Sequence, residues 1–178
     1  LVILGVTALD QITKFWALDL LAEHNPTRII DDFLMFSLVF NEGGAMGTRL
    51  GPSTYYLTMA LVVLPFLLVY IYRNRRHPVM AIPLAFIAGG AIGNLIDRIR
   101  LGHVVDFIDV DFFDIDIFGF QMDRFWIFNV ADSAISCAIV FLLIQILFLK
   151  KTLDPPATPA AAADDQTSSL SDNPTSAQ

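Results

Sequence analysis

The run "FNVADSAISCAIVFLLIQILFL" occupies residues 128–149, and from Ala138 to Leu149 its one polar side chain is Gln145. A helix rises 1.5 Å per residue, so about 20 apolar residues cover the roughly 30 Å hydrocarbon core of a bilayer. The run is therefore read as a membrane span. Its head is the odd part, because Asn129, Asp132 and Ser133 stand where lipid disfavours them. A carboxylate at the centre of a membrane helix costs about 2.5–3.5 kcal/mol on insertion scales, and such a group is by default a candidate for function. The spacing places Asp132 one to two turns inside the span, roughly 10 Å from its outer end. Asn129, three residues earlier, shares its face.

The whole chain agrees with a membrane setting. It has 178 residues, of which 55% are hydrophobic and only 16% charged; soluble domains carry about 25% charge. Its mean hydropathy is +0.60. The length suits one domain of a few spans. A net charge of −7 with no basic, aromatic-laced stripe sets nucleic acid aside. The single cysteine, Cys137, excludes an intrachain disulfide and a Cys-rich metal site. His24, His77 and His103 lack ligand spacing, so neither metal nor cofactor is expected. The chain starts at Leu1, which implies residues before it. Residues 1–9 have no basic leader and no small-residue cleavage signal, so they read as the start of a span.

Working outward gives three further spans: Leu1–Leu21, Tyr55–Tyr72 with a possible kink at Pro65, and Pro78–Ile99; the last span runs Phe125–Leu149. Basic residues mark cytoplasmic ends. They crowd the short "RNRRHP" link (73–78) and follow the last span as Lys150 and Lys151. Both termini are then expected in the cytoplasm, with the 23–54 and 100–124 connections outside. "RIIDDFLMFSLVFN" (28–41) and "VVDFIDVDFFDIDIFGF" (104–120) alternate partly and are rich in β-branched and aromatic residues, as short surface strands would be. The acids Asp109, Asp111, Asp114, Asp116 and Asp123 read as a solvated loop. The expected fold is a mostly α integral membrane protein of four transmembrane helices with a small β-sheet on the outer face. Its membrane domain covers 1–151. The Ala-, Pro- and Ser-rich stretch 152–178 is expected to be a disordered cytoplasmic tail, because it has too little apolar surface to offset ordering entropy.

The remaining polar residues in or beside the spans carry the functional question. Asp10 and Lys14 are i,i+4, and an ion pair explains both. Asn94, Asp97 and Arg98 lie within about a turn near the outer end of the third span. They fit either an interfacial polar belt or a preorganised hydrogen-bonding group. Asp106 follows soon after. Two carboxylates at one depth supply a general base and a general acid, because both cannot ionise comfortably together. Such a pair hydrolyses amides without a nucleophilic side chain. Ser133 has no His or Lys at its depth, which argues against a serine hydrolase. The residues alone leave open whether Asp97 or Asp106 partners Asp132. "NEGGAMG" (41–47) fits a flexible link or a substrate-lining loop that starts at Asn41. A transporter or proton relay using Asp10, Lys14 and Asp132 would spread polar groups through the full membrane depth, whereas here most cluster on the outer side. A non-catalytic assembly partner is the third reading.

Four stretches, in order, resemble the lipoprotein signal peptidase family: "LDQITK" (9–14), "NEGGAMG" (41–47), "GGAIGNLIDRIRLGHVVDFID" (89–109) and "FNVADSAIS" (128–136). The likeness covers about residues 1–150. It implies a four-span aspartyl endopeptidase of the bacterial cytoplasmic (inner) membrane, with its active site near the outer face. That enzyme removes signal peptides from prolipoproteins by cutting before a diacylglyceryl-modified cysteine. The resemblance places the catalytic pair on Asp106 and Asp132. It puts dyad-supporting or substrate-binding roles on Asn41, Asn94, Arg98 and Asn129, and a supporting role on Asp10 and Lys14. The implied partners are lipid-modified prolipoproteins and membrane lipids, with no nucleic acid, and a monomer is expected. "NEGGAMG" departs from the family block by an extra glycine and by Met46 where a second small residue followed by Phe is usual.

Overall fold

A computed structural model describes residues 1–22, 26–44, 48, 50–111, 115–117, 120–122 and 125–149, without side-chain detail at 115–117, 120–122 and 149. The element order is α1 (Val2–Leu20), β1 (Thr27–Ile30), β2 (Leu34–Asn41), α2 (Ser53–Arg73), α3 (Pro78–Leu101), β3 (Val104–Val110), β4 (Ile115–Ile117), β5 (Phe120–Met122) and α4 (Val130–Leu149). Residues 1–142 form one compact unit, and the described part of a second is the last turns of α4 from Leu143. The 152–178 tail, Lys150, Lys151, Met46, Asp114 and Asp123 lie outside the described residues.

Among the described residues three helices, α2, α3 and α4, are long and apolar enough to cross a membrane. α1 has 19 residues but carries Asp10, Lys14 and Asp19. The burial pattern is inverted relative to a soluble protein. Phe66, Leu61, Val62, Val140 and Phe141 point outward, while Asp10, Lys14, Asp97, Asp106 and Asn129 are almost fully buried. In lipid the apolar outside has nothing to gain by hiding, so the polar groups gather inside and bond to each other. α2 buries no residue at all and runs unbroken through Pro65.

Glycines set how closely the helices approach. A Cβ on Gly89 would lie 2.8 Å from the Val6 side chain of α1, and one on Gly90 would lie 2.6 Å from the Ala131 carbonyl of α4. One on Gly93 would run into the Asp10 carboxylate. Small residues at such crossings let backbones meet. Polar ties then cross the gap: Thr7 Oγ1 donates to the Gly89 carbonyl at 2.9 Å and Gln11 Nε2 to the Gly93 carbonyl at 3.1 Å. Gly93→Ala is expected to destabilise the protein by about 1–3 kcal/mol, since the clash falls on a buried carboxylate that cannot retreat into solvent. Thermal unfolding in detergent checks this, and an unchanged midpoint would contradict the close crossing.

Pro78 starts α3, where its missing N–H costs nothing, and Gly102 ends it in the left-handed region (φ 81°). That turn drops the chain straight into β3. β1, β2 and β3 form an antiparallel sheet in that order, and β4 pairs with β5 in a separate hairpin. Ala17, Leu21 and Phe107 form an apolar core with Phe36, Leu38, Ile108 and Val130 against it, joining the end of α1 to the sheet and to the start of α4. The solvated-loop expectation fails for Asp109. It is 4% exposed, and its carboxylate accepts a hydrogen bond from Ser37 Oγ at 2.8 Å. β3 is covered on both faces, so an acid there needs a donor.

Candidate active site

The segment before α4 is stitched to β3. Phe128 exchanges backbone hydrogen bonds with Ile108, donating at 3.0 Å and accepting at 2.8 Å, and its carbonyl also accepts from the Phe107 N–H at 3.1 Å. This pairing brings the start of α4 beside Asp106. Here one expectation is corrected: α4 begins at Val130, so Asp132 lies in its first turn and not one to two turns inside. The reason is a reciprocal cap. Asn129 Oδ1 accepts from the Asp132 N–H at 3.0 Å, and Asp132 Oδ2 accepts from the Asn129 N–H at 3.4 Å. The Asn-x-x-Asp spacing is a capping box. Asp10 of α1 adds a third acceptor at this helix end, taking the Ala131 N–H at 2.9 Å. Three otherwise orphan donors are satisfied, and the helix N-terminus favours the negative charge of Asp132.

Asp106 is held from two sides. Asn129 Nδ2 donates to its Oδ1 at 2.6 Å and Asn41 Nδ2 to its Oδ2 at 2.9 Å. Asn41 reaches it because of an irregularity in the sheet. β2 and β3 pair Phe36 with Ile108, then Val39 with Asp106 and Asn41 with Val104, so the register shifts by one residue between Phe36 and Val39. With an unbroken ladder Leu38 would face Asp106, and Asn41 would point to the opposite side of the sheet.

Asn94 of α3 links the two acids. Its Nδ2 donates to Asp132 Oδ1 at 2.8 Å, and its Oδ1 accepts from Asn129 Nδ2 at 3.2 Å and from Lys14 Nζ at 2.8 Å. Lys14 also pairs with Asp10 at 3.0 Å and with Asp97 at 2.8 Å. Asp97 takes the Val105 N–H at 3.1 Å and Gln11 Nε2 at 3.0 Å. So Asp97 serves the ion network that anchors the start of β3, and it does not line the cavity where Asp106 and Asp132 meet. Arg98 Nη2 donates to the Gly43 carbonyl at 2.8 Å, and its Nε is buried without a hydrogen-bond partner among the described residues.

The cavity has a volume of about 520 Å³ and is lined by Asn41, Asn94, Arg98, Asp106 and Asp132, with Trp126 among its apolar walls. The structure thus brings together Asn41, Asn94, Arg98, Asp106, Asn129 and Asp132, and sets Asp10 and Lys14 behind them. Gln11 and Tyr56 also contribute, and neither stood out in the sequence. Gln11 sits next to Asp10 on the face shared with Lys14, and that polar face was its one available signal. Asp106 lies outside the helices, and its carboxyl is pushed up to about 6, by burial first and by the charge of Asp132 second. The hydrogen bonds from Asn41 and Asn129 pull the other way. A buried pair of acids with one raised well above its ordinary value holds a proton and a base together near neutral pH, the arrangement that general acid–base hydrolysis needs.

Comparison with known proteins gives the same direction. The family model described as "Signal peptidase (SPase) II" matches residues 2–148. A "Lipoprotein signal peptidase" of Syntrophomonas wolfei is 38% identical over 143 residues, covering 80% of this chain and 87% of the relative. One of Coxiella burnetii is 39% identical over 155 residues, covering 84% and 89%. A solved structure titled "Bacterial membrane enzyme structure by the in meso method at 2.3 A resolution" superposes with a TM-score of 0.69 at 29% identity, covering 88% of this chain and 90% of that one.

Proposed function

The chain belongs to the signal peptidase II family, and from that premise we propose how its two buried acids divide the reaction. It is a membrane protease that removes the signal peptide from lipoprotein precursors, cutting before the lipid-modified cysteine. Asp106 and Asp132 are the catalytic pair. The observation that carries this reading is their shared cavity, where Asn94 and Asn129 tie one carboxylate to the other.

Asp132, at a helix N-terminus, acts as the base. It takes a proton from a water that attacks the scissile carbonyl carbon. Protonated Asp106 hydrogen-bonds the carbonyl oxygen and gives it that proton as the tetrahedral intermediate forms. The C–N bond then breaks: Asp132 gives its proton to the leaving amine nitrogen, and a hydroxyl of the intermediate returns one to Asp106 as the carbonyl re-forms. Arg98 Nε, a buried donor without a partner among the described residues, is available to a substrate backbone carbonyl. Asn41, Asn94 and Asn129 hold the acids, and Asp10 and Lys14 support them from behind. α1 is the fourth span, its mid-helix charges Asp10 and Lys14 tolerated because they are buried toward α3. Asn94 lies roughly 24 Å along α3 from Pro78, at the far end from the basic 73–76 link. The positive-inside rule then puts the site at the outer face of the cytoplasmic membrane, both termini in the cytoplasm and the acyl chains of the substrate against the apolar helices. One copy of the chain holds all the residues needed.

An unreactive peptide bearing a hydroxyl at the scissile position tests this reading. It is expected to bind at least a hundredfold tighter than the substrate, as intermediate mimics do. Binding no tighter than substrate would sink the reading.

The pH profile gives a second check. Above about pH 6 the last proton leaves the pair, so kcat/KM is expected to fall on the alkaline side, with the apparent value belonging to the pair. Asn41→Ala removes a donor to ionised Asp106, which weakens the acid and moves that limb upward. A limb that stays put or moves down in Asn41→Ala would contradict the assignment.

A further inference from the structure

We propose that Tyr56 is a positioning residue for the dyad: from the first turn of α2 it pins the chain after β2, and so keeps Asn41 aimed at Asp106. Its hydroxyl donates to the Thr48 carbonyl at 2.7 Å and accepts from the Leu50 N–H at 2.8 Å. The Thr48 carbonyl also accepts from the Gly44 N–H at 2.8 Å. Gly44 and Gly43 bind Asn41 in turn: Asn41 Oδ1 accepts from the Gly43 N–H at 2.8 Å, and Asn41 Nδ2 reaches the Gly44 carbonyl at 3.4 Å while donating to Asp106 at 2.9 Å. A continuous hydrogen-bonded path therefore runs from Tyr56 to Asp106.

The Tyr56 ring contributes independently. Arg98 places its guanidinium 5.6 Å from the ring centroid while bonding the Gly43 carbonyl, so ring and cation clamp the same segment from two helices. A Cβ on Gly44 would stand 2.5 Å from Tyr56 Cε1 and 2.7 Å from Thr48 Oγ1, so glycine is what lets the ring lie against the backbone there. Tyr56 lines the cavity with Asn41, Gly44, Arg98, Asp106 and Asp132. α2 buries no residue, which makes this polar tie at the cavity its notable anchor to the site.

The inference rests on the catalytic reading above. Its test uses the full chain in lipid or detergent with a lipidated peptide substrate. Asp106 faces Asp132 on α4, Arg98 on α3 and Lys14 on α1, and none of these is changed. Tyr56→Phe keeps the ring and removes the hydroxyl. It is expected to lower kcat/KM about five- to tenfold and to move the alkaline limb upward, in the same direction as Asn41→Ala. The double variant is expected to be no worse than Asn41→Ala alone, because both act through one path. Gly44→Ala, which displaces the intact ring, is expected to give the same shift of the limb. An unmoved limb in Tyr56→Phe, or Tyr56 and Asn41 effects that multiply, would overturn the proposal. Asp106→Asn keeps the two readings separate. If that variant is inactive while the Tyr56→Phe profile is unchanged, only the positioning role fails. If it cleaves normally, the dyad fails and this role with it.

Discussion

Asp132→Asn is expected to lower kcat by about a thousandfold or more while the protein stays folded. The geometry makes this substitution the cleaner test of the pair. An asparagine at 132 still offers an oxygen to Asn94 Nδ2, which now bonds Asp132 Oδ1 at 2.8 Å. The part lost is the second oxygen, whose contact to the Asn129 N–H is long at 3.4 Å. The main cap, from Asn129 Oδ1 to the N–H of residue 132, does not depend on the side chain at 132. What vanishes is the base. Asp106→Asn is expected to be equally inactive but less stable. Both its oxygens accept short bonds from amide donors, at 2.6 and 2.9 Å, and an asparagine can accept at only one of them. The other donor would face an NH₂ group in a buried site, at a cost of about 1–3 kcal/mol. Single-turnover cleavage of a lipidated peptide, read beside thermal unfolding, separates the two effects. Substantial cleavage by folded Asp132→Asn would sink the assignment.

Lys14→Met is expected to be the most destabilising single change, at about 3–5 kcal/mol. Lys14 is 2% exposed and lies between Asp10 (0%) and Asp97 (3%). Removing it leaves two carboxylates buried with no cation between them, far from solvent that could relieve them. The consequence reaches the chemistry as well. Lys14 Nζ donates to Asn94 Oδ1 at 2.8 Å, the shorter of the two bonds that set which end of the Asn94 amide faces Asp132. Without it only the longer bond from Asn129 Nδ2, at 3.2 Å, keeps the amide oxygen turned away from Asp132. Activity is therefore expected to fall further than the loss of folded protein explains. A Lys14→Met enzyme as stable as the parent would show that the ion network does not hold α1 to α3. One that is unstable but fully active per folded molecule would show that Lys14 does not orient Asn94.

Several parts of this site can be read along the chain. The carboxylates stand out because lipid penalises them, and the Asn129–Asp132 spacing is local enough to see. The i,i+4 pair of Asp10 and Lys14 is visible for the same reason. Other parts escape because their partners are far away in sequence. Nothing in Asp97 alone distinguishes it from Asp106; the difference arises when Lys14 and Gln11 of α1 claim Asp97. Asp109 looks like its acidic neighbours until Ser37 of β2 is found opposite it. Tyr56 resembles any interfacial aromatic until Thr48 and Leu50 are found bonded to its hydroxyl.

The sequence by itself determined that this is a membrane protein. Hydrophobic length and charge are properties of single segments, and the bilayer reads them one segment at a time. It also supplied the set of polar residues from which a site must be built, since each is costly where it stands. Only the tertiary structure decided which of them meet. A one-residue shift of register puts Asn41 on the same side of the sheet as Asp106. Gly93 allows Asp10 close to α3, and Asp10 caps a helix 121 residues away. The physical reason is that burial raises the cost of an unpaired polar group, while pairing depends on distance in space. Composition states the cost, and the fold alone supplies the partners.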